Sequence, residues 1–403
     1  MKRFWLRNCL FFLVFSVLFG CFSLSAVAEN EGIVPILEEQ KDLSDMGIED
    51  GSLNLKCQSA ILMEATTGCV LYVQNPDEAL PPASVTKIMT LLLVMEAIDA
   101  GKLKMTDTVT VSANAASMGG SQVFLKEGEQ MPLVDMLKSV VIASANDAAV
   151  ALAEHLCGSV ESFVTRMNEK AKSLGMENTK FENVTGLDDT AQNHLTSARD
   201  IAIMSRELIK HKTILEYSSI WMDTIRNGEF GLTNTNRLVR FYPGCTGLKT
   251  GSTSKAGFCI SVTAEREDLS LICVIMGAES RDVRNAAATT LLDWGFANYG
   301  LYTAPSNSAD PVPVKGGVKN SCQTTYDAFS RVLPKEKIKN VEKKIELPEC
   351  VSAPIQKGDK IGEVIYLSEG EEIGRGEILV AETIEKMNFF DILWRMLASF
   401  LLI

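Results

Sequence analysis

Strand-like segments stand at both ends of the long middle of this chain, with helical segments filling the space between them. Ser59-Ala60-Ile61-Leu62-Met63-Glu64 and Cys69-Val70-Leu71-Tyr72-Val73 flank Ala65-Thr66-Thr67-Gly68, which reads as strand, tight turn, strand. Far downstream, Gly247–Gly251, Phe258–Ala264 and Leu269–Met276 read as strands again, followed by a helix over Arg281–Trp294. Such an order implies an α/β chain of the α+β kind, in which one antiparallel sheet is completed jointly by the two ends and flanked by helices.

The intervening helices have identifiable stops. The apolar run from Ile88 carries a helix to Ala100, with Gly101 as its C-terminal stop. Thr106–Val111 is a short strand, and Met131–Ser144 is helical, with Leu133, Met136, Leu137, Val140 and Val141 on one face. Asp147–Cys157 closes at Gly158, Val160–Leu174 stops at Gly175, and Thr196–His211 is helical again.

Pro81-Pro82-Ala83-Ser84-Val85-Thr86-Lys87 carries the first candidate chemistry. The two prolines disfavour helix upstream, so Ser84 falls in the first turn and Lys87 lies three residues on, on the same face. A hydroxyl and an amine in one turn make a nucleophile and a base, provided the amine's pKa falls. The positive end of the helix dipole, burial and a second cation all push it that way. S-x-x-K alone is weak evidence, because Ser252-Thr253-Ser254-Lys255 repeats it. Ser144-Ala145-Asn146, at a helix end, offers a hydroxyl and an amide, yet Ser112-Ala113-Asn114 has the same three residues. Lys249-Thr250-Gly251 has no second copy: its glycine admits a substrate backbone to a strand edge, and its cation and hydroxyl suit a carboxylate. The ordered trio is far less expected by chance than any one motif.

The formal net charge of -12 argues against a nucleic-acid partner, since a phosphate backbone needs a basic surface. Met1–Ala28 reads as a secretory signal peptide: Lys2, Arg3 and Arg7, an apolar run, then Ala26-Val27-Ala28. Leu18-Phe19-Gly20-Cys21 also approximates a lipobox, with Phe19 bulky where a small residue is usual. Residues 29–54 read as an acidic leader, 55–304 as the main domain, 305–384 as a small β-rich domain after the Pro305–Pro313 junction, and 385–403 as an amphipathic anchor. That tail is short for a bilayer span and is expected to lie in a membrane surface. The cysteines beyond the leader are widely spaced, with no C-x-x-C zinc pattern, and no metal or cofactor is expected. Cys322 and Cys350 are a candidate pair in an oxidising compartment.

At these motifs the chain resembles the serine penicillin-recognising enzymes and, more closely, the low-molecular-weight D-alanyl-D-alanine carboxypeptidases. The resemblance also rests on Met118-Gly119-Gly120-Ser121, Ser144-Ala145-Asn146-Asp147-Ala148-Ala149 and Leu291-Leu292-Asp293-Trp294-Gly295-Phe296, and covers nearly the whole mature chain. It implies a β-lactamase/transpeptidase-like fold and selects Ser144 over Ser112. It departs from the family at Ala145, where glycine is usual, and at Ser252, where some relatives carry histidine. The implied chemistry is acyl transfer from a peptidoglycan stem peptide ending in D-Ala-D-Ala. Ser84 is the nucleophile, Lys87 the base, and backbone N–H groups of Ser84 and Ser252 meet the oxyanion. Ser144 relays a proton, Asn146 binds the peptide amides, Lys249 and Thr250 hold the carboxylate beside Gly251, and Arg284 assists, unless it is a solvated helix arginine. β-Lactams would acylate the same serine, and the site of action would be the outer face of the cytoplasmic membrane or the cell wall. Two alternatives stay open: a β-lactamase, with Glu182 as its deacylating carboxylate, and a wall-binding scaffold with a silent cleft.

Overall fold

The computed structural model describes residues 53–188 and 191–401. The expected leader cleavage site, the acidic segment up to residue 52 and the last two residues of the tail lie outside the described residues. β1 (Ser59–Glu64) and β2 (Val70–Gln74) form the expected hairpin. Its turn is tied by the buried Glu64 carboxylate, which accepts from the Thr66 and Thr67 amides. A loop delivers the chain to a 3-10 turn at Ala83–Thr86, which runs straight into α1 (Lys87–Asp99). α1 is apolar nearly all round, and from Lys87 to Met95 every residue is buried; a helix of that composition has to sit inside the molecule.

The segment expected as one helix from Met131 to Ser144 is divided. Its first residues belong to β4 (Gln130–Pro132), which pairs with β3 (Thr108–Thr110), and the helix proper is α2 (Leu133–Val141). Pro132 is the reason: its ψ of 143° is extended, and the helix begins only after it. α3 (Asn146–Cys157), α4 (Val160–Ser173) and α5 (Ala198–Lys210) follow, each within two residues of its expected limits. Gly158 and Gly175, at φ 79° and 71°, supply the left-handed stops. A hairpin that the sequence pattern did not announce, β5 (Met222–Ile225) and β6 (Phe230–Thr233), precedes the return strands β7 (Cys245–Thr253), β8 (Gly257–Arg266) and β9 (Leu269–Ala278).

The central sheet has the order β2-β1-β9-β8-β7, antiparallel throughout, so chain ends far apart in sequence are adjacent at the β1–β9 pair. Alternate residues of β8 face opposite layers. Ile260, Val262 and Ala264 join Leu291, Leu292 and Phe296 of α6 (Arg281–Asn298), while Ser261 Oγ meets Ser205 Oγ of α5 at 2.8 Å.

β10 (Tyr299–Ala304) pairs with β14 (Phe329–Pro334), across the proline-bearing junction. Beyond it, β11 (Val312–Lys315), β12 (Ser321–Cys322) and β16 (Val351–Ser352) form one small sheet; β13 (Thr324–Thr325), β15 (Val341–Glu346), β17 (Lys360–Ser368) and β18 (Glu371–Val380) form another. The described cysteines are all free thiols, so Cys322, which is buried, and Cys350 do not pair. α7 (Phe389–Leu401) ends the described chain, with Phe389, Phe390 and Trp394 each more than two-thirds exposed at 72%, 77% and 75%. Among the described residues no helix is long and apolar enough to cross a membrane.

Candidate active site

Ser84 occupies the 3-10 turn rather than the first turn of an α-helix, and the geometry still places Lys87 Nζ 3.0 Å from its Oγ. The turn enters through Ala83 at φ 47°, a left-handed conformation that costs an alanine ~1–2 kcal/mol and is held by its surroundings. Ser84 is partly exposed, whereas Lys87 is fully buried. Its amine donates to the Thr185 carbonyl at 2.8 Å. Burial, then the nearby Lys249 cation, hold Lys87 well below the usual lysine pKa, with the buried Asp147 carboxylate opposing them. A neutral amine that spends one hydrogen on Thr185 keeps a lone pair for the Ser84 hydroxyl.

The second motif meets the third. Lys249 Nζ donates to Ser144 Oγ at 2.7 Å and to the Thr250 carbonyl at 2.9 Å. Ser144 has left the helix: it sits at φ 62° in the short link between α2 and α3, which aims its hydroxyl at β7. Asn146 opens α3. Its Nδ2 donates to the Gly119 carbonyl and its amide to the Ser121 carbonyl, both at 2.7 Å, while its buried Oδ1 has no partner. Asp147 accepts from the Val123, Leu125 and Ala148 amides, which pins the loop that carries those carbonyls.

Gly251 closes β7 onto the Ser84 turn. A Cβ there would lie 2.8 Å from the Pro82 carbonyl oxygen and from the Ser84 nitrogen, and 2.9 Å from the Val85 nitrogen, so only glycine admits this approach. Thr250 donates to Thr235 Oγ1 at 2.9 Å, and Ser252 is exposed at the strand end. Burial, then Arg284, lower the Lys249 pKa to about 7. Arg284 is not a solvated helix arginine: it is 3% exposed, bonded to Asn285 Oδ1 and to the Cys259 carbonyl, one strand behind Gly251.

Sequence reasoning missed several groups here. The Thr185 carbonyl comes from a turn organised by Asn183, whose Oδ1 accepts from the Thr185 and Gly186 amides; an asparagine three residues before a glycine is a legible signal for it. His194 and Thr235 carried no signal. Glu182 does not face Ser84: its carboxylate accepts from the Gln192 and Asn193 amides and pairs with Lys180. The decoys are accounted for as well. Ser112 is a helix N-cap that accepts from the Ala115 amide and donates to Glu154, and Ser252 and Lys255 lie at the β7–β8 turn. Among the described residues no group of three or more His, Cys, Asp or Glu side chains is disposed to hold a metal ion.

Comparison with known proteins identifies the family and the fold. Residues 47–280 match the family model described as D-alanyl-D-alanine carboxypeptidase, and residues 308–386 match that of the penicillin-binding protein 5 C-terminal domain. The D-alanyl-D-alanine carboxypeptidase DacF of Bacillus subtilis is 41% identical over 97% of this chain and 98% of its own. Penicillin-binding protein 5 of Haemophilus influenzae superposes with a TM-score of 0.73 at 32% identity, over 82% of this chain and 98% of that one. Penicillin-binding protein D2 of Listeria monocytogenes, solved in an ampicillin-bound form, does so at 0.56 and 31%, over 60% and 98%. With most of its length, its fold and its second domain matched, the chain belongs to the peptidase S11 family of D-alanyl-D-alanine carboxypeptidases.

Proposed function

We propose that the D-alanyl-D-alanine carboxypeptidase activity of this chain runs through an acyl-enzyme on Ser84, formed from a peptidoglycan stem peptide. The observation that carries this reading is the buried Lys87 amine, 3.0 Å from Ser84 Oγ and anchored by the Thr185 carbonyl. Lys87 takes the hydroxyl proton as Ser84 Oγ bonds to the carbonyl carbon between the two D-alanines. Backbone N–H groups of Ser84 and Ser252 stabilise the oxyanion. The C–N bond then breaks, and Ser144, bridged to Lys249, passes a proton to the departing D-alanine amine. Water hydrolyses the ester. The partnerless Asn146 Oδ1 accepts from a peptide N–H, and Lys249, Thr250 and Arg284 provide the field for the free carboxylate. Penicillin acylates the same serine.

Lys249 makes the carboxylate role testable. The ammonium form binds the anion, and that form is lost as pH rises through about 7. KM for an acyl-D-Ala-D-Ala peptide should therefore climb above that pH, while KM for its C-terminal amide stays flat; parallel profiles would remove Lys249 from carboxylate binding. Release of D-alanine from the acid, with slow release of bound penicillin, separates this activity from a β-lactamase and from a silent scaffold.

The site of action is the cell wall outside the cytoplasmic membrane, with α7 lying in the membrane surface. Its 13 residues span only ~20 Å, against a hydrocarbon core of ~30 Å, and its exposed aromatic residues suit the interface. Full-length protein should sediment with phospholipid vesicles and a chain ending at Met387 should not; equal sedimentation would exclude the anchor.

A further inference from the structure

Beneath the nucleophile turn lies a hydrogen-bond chain that the acyl-transfer steps do not use. His194 is 6% exposed, and its Nδ1 accepts from the Glu182 amide at 3.0 Å. A ring nitrogen that accepts from an amide carries no proton, so the hydrogen resides on Nε2. Nε2 stands 2.7 Å from Thr86 Oγ1, and that hydroxyl donates to the Ala83 carbonyl at 2.8 Å. The direction is thus fixed at every link: Glu182 N–H to Nδ1, Nε2–H to Thr86, Thr86 O–H to Ala83.

Ala83 is the left-handed residue immediately before Ser84, and its carbonyl is confined from a second side by Gly186, where a Cβ would stand 1.8 Å from the oxygen. Phe181 holds the imidazole edge-on, with ring centroids 5.7 Å apart. The same loop supplies the Thr185 carbonyl that anchors Lys87.

We infer that His194 is a positioning residue for the Ser84 turn, acting through the Thr86 hydroxyl to hold Ala83 in its left-handed conformation and so keep Ser84 Oγ against the Lys87 amine. It touches neither substrate nor reacting atoms. The inference rests on Ser84 being the nucleophile.

The amide side chains separate the two ends of the ring. In His194→Gln the amide nitrogen reaches the place of Nε2 and keeps the donation to Thr86. In His194→Asn the amide oxygen reaches the place of Nδ1 and keeps only the Glu182 contact. With a fluorescent penicillin and an acyl-D-Ala-D-Ala peptide, His194→Gln should acylate within about 3-fold of wild type. His194→Asn should lose about 10- to 100-fold in acylation rate and kcat, with KM changed less than 2-fold. Thr86→Val should fall with His194→Asn, and Thr86→Ser should stay with wild type, which keeps the test open if one histidine variant fails to fold. The reverse order, Asn active and Gln impaired, would assign His194 to its own loop and overturn the inference, as would losses confined to KM. A wild type that forms no adduct at Ser84 would instead overturn the acyl-enzyme reading on which this one stands.

Discussion

Replacing Lys87 with methionine is expected to slow both penicillin acylation and D-alanine release by about 10³-fold, with the fold retained. General-base catalysis by a positioned group contributes ~10²–10⁴-fold, and Lys87 Nζ is hydrogen-bonded to Ser84 Oγ at 3.0 Å. Methionine fills a similar volume without a charge to bury, so the lost donation to the Thr185 carbonyl, ~1–3 kcal/mol, is offset by removal of a desolvated amine. The pH dependence has a fixed sign. If the neutral amine is the base, its pKa being well below the usual lysine value, wild-type acylation should rise with pH through that depressed value. The residual rate of the variant should lack this rise. A variant within 10-fold of wild type would show that Lys87 is not the base.

Gly251→Ala is expected to slow acylation by about 10²-fold without touching a reacting group. Its new methyl would stand 2.8 Å from the Ser84 nitrogen and 2.9 Å from the Val85 nitrogen, all backbone atoms of the nucleophile turn, so turn and strand must part by several tenths of an ångström. Misplacement on the order of 1 Å at a reacting centre costs about 10²-fold. Gly251 is buried, so this overpacking also costs ~1–3 kcal/mol of stability and the melting temperature should fall as well. Rapid acylation by the alanine variant would mean that β7 does not form a wall of the site.

The elements were largely legible because apolar runs and glycine stops set them. α1 announced itself through Ile88–Ile98, and α3 and α4 through Gly158 and Gly175. The hairpin β5–β6 was not legible, since Met222-Asp223-Thr224-Ile225 is too short to show a period. Within the site, local spacing revealed Ser84 with Lys87, but it could not rank Ser144 above Ser112. What distinguishes them is tertiary: a left-handed link that turns one hydroxyl to Lys249, against a helix cap that engages the other with Glu154. For the same reason the Thr185 carbonyl and His194 escaped notice. Asn183 and Gly186 mark the turn but not where its Thr185 carbonyl points, and one buried histidine in a turn-rich loop says nothing of the threonine 108 positions away that it holds.

The most direct test is the intact mass of the protein after penicillin treatment, wild type beside Ser84→Ala. Wild type should gain the mass of one whole drug molecule and Ser84→Ala should gain nothing. An adduct on the alanine variant, or none on either protein, would contradict a serine activated by the lysine one turn along.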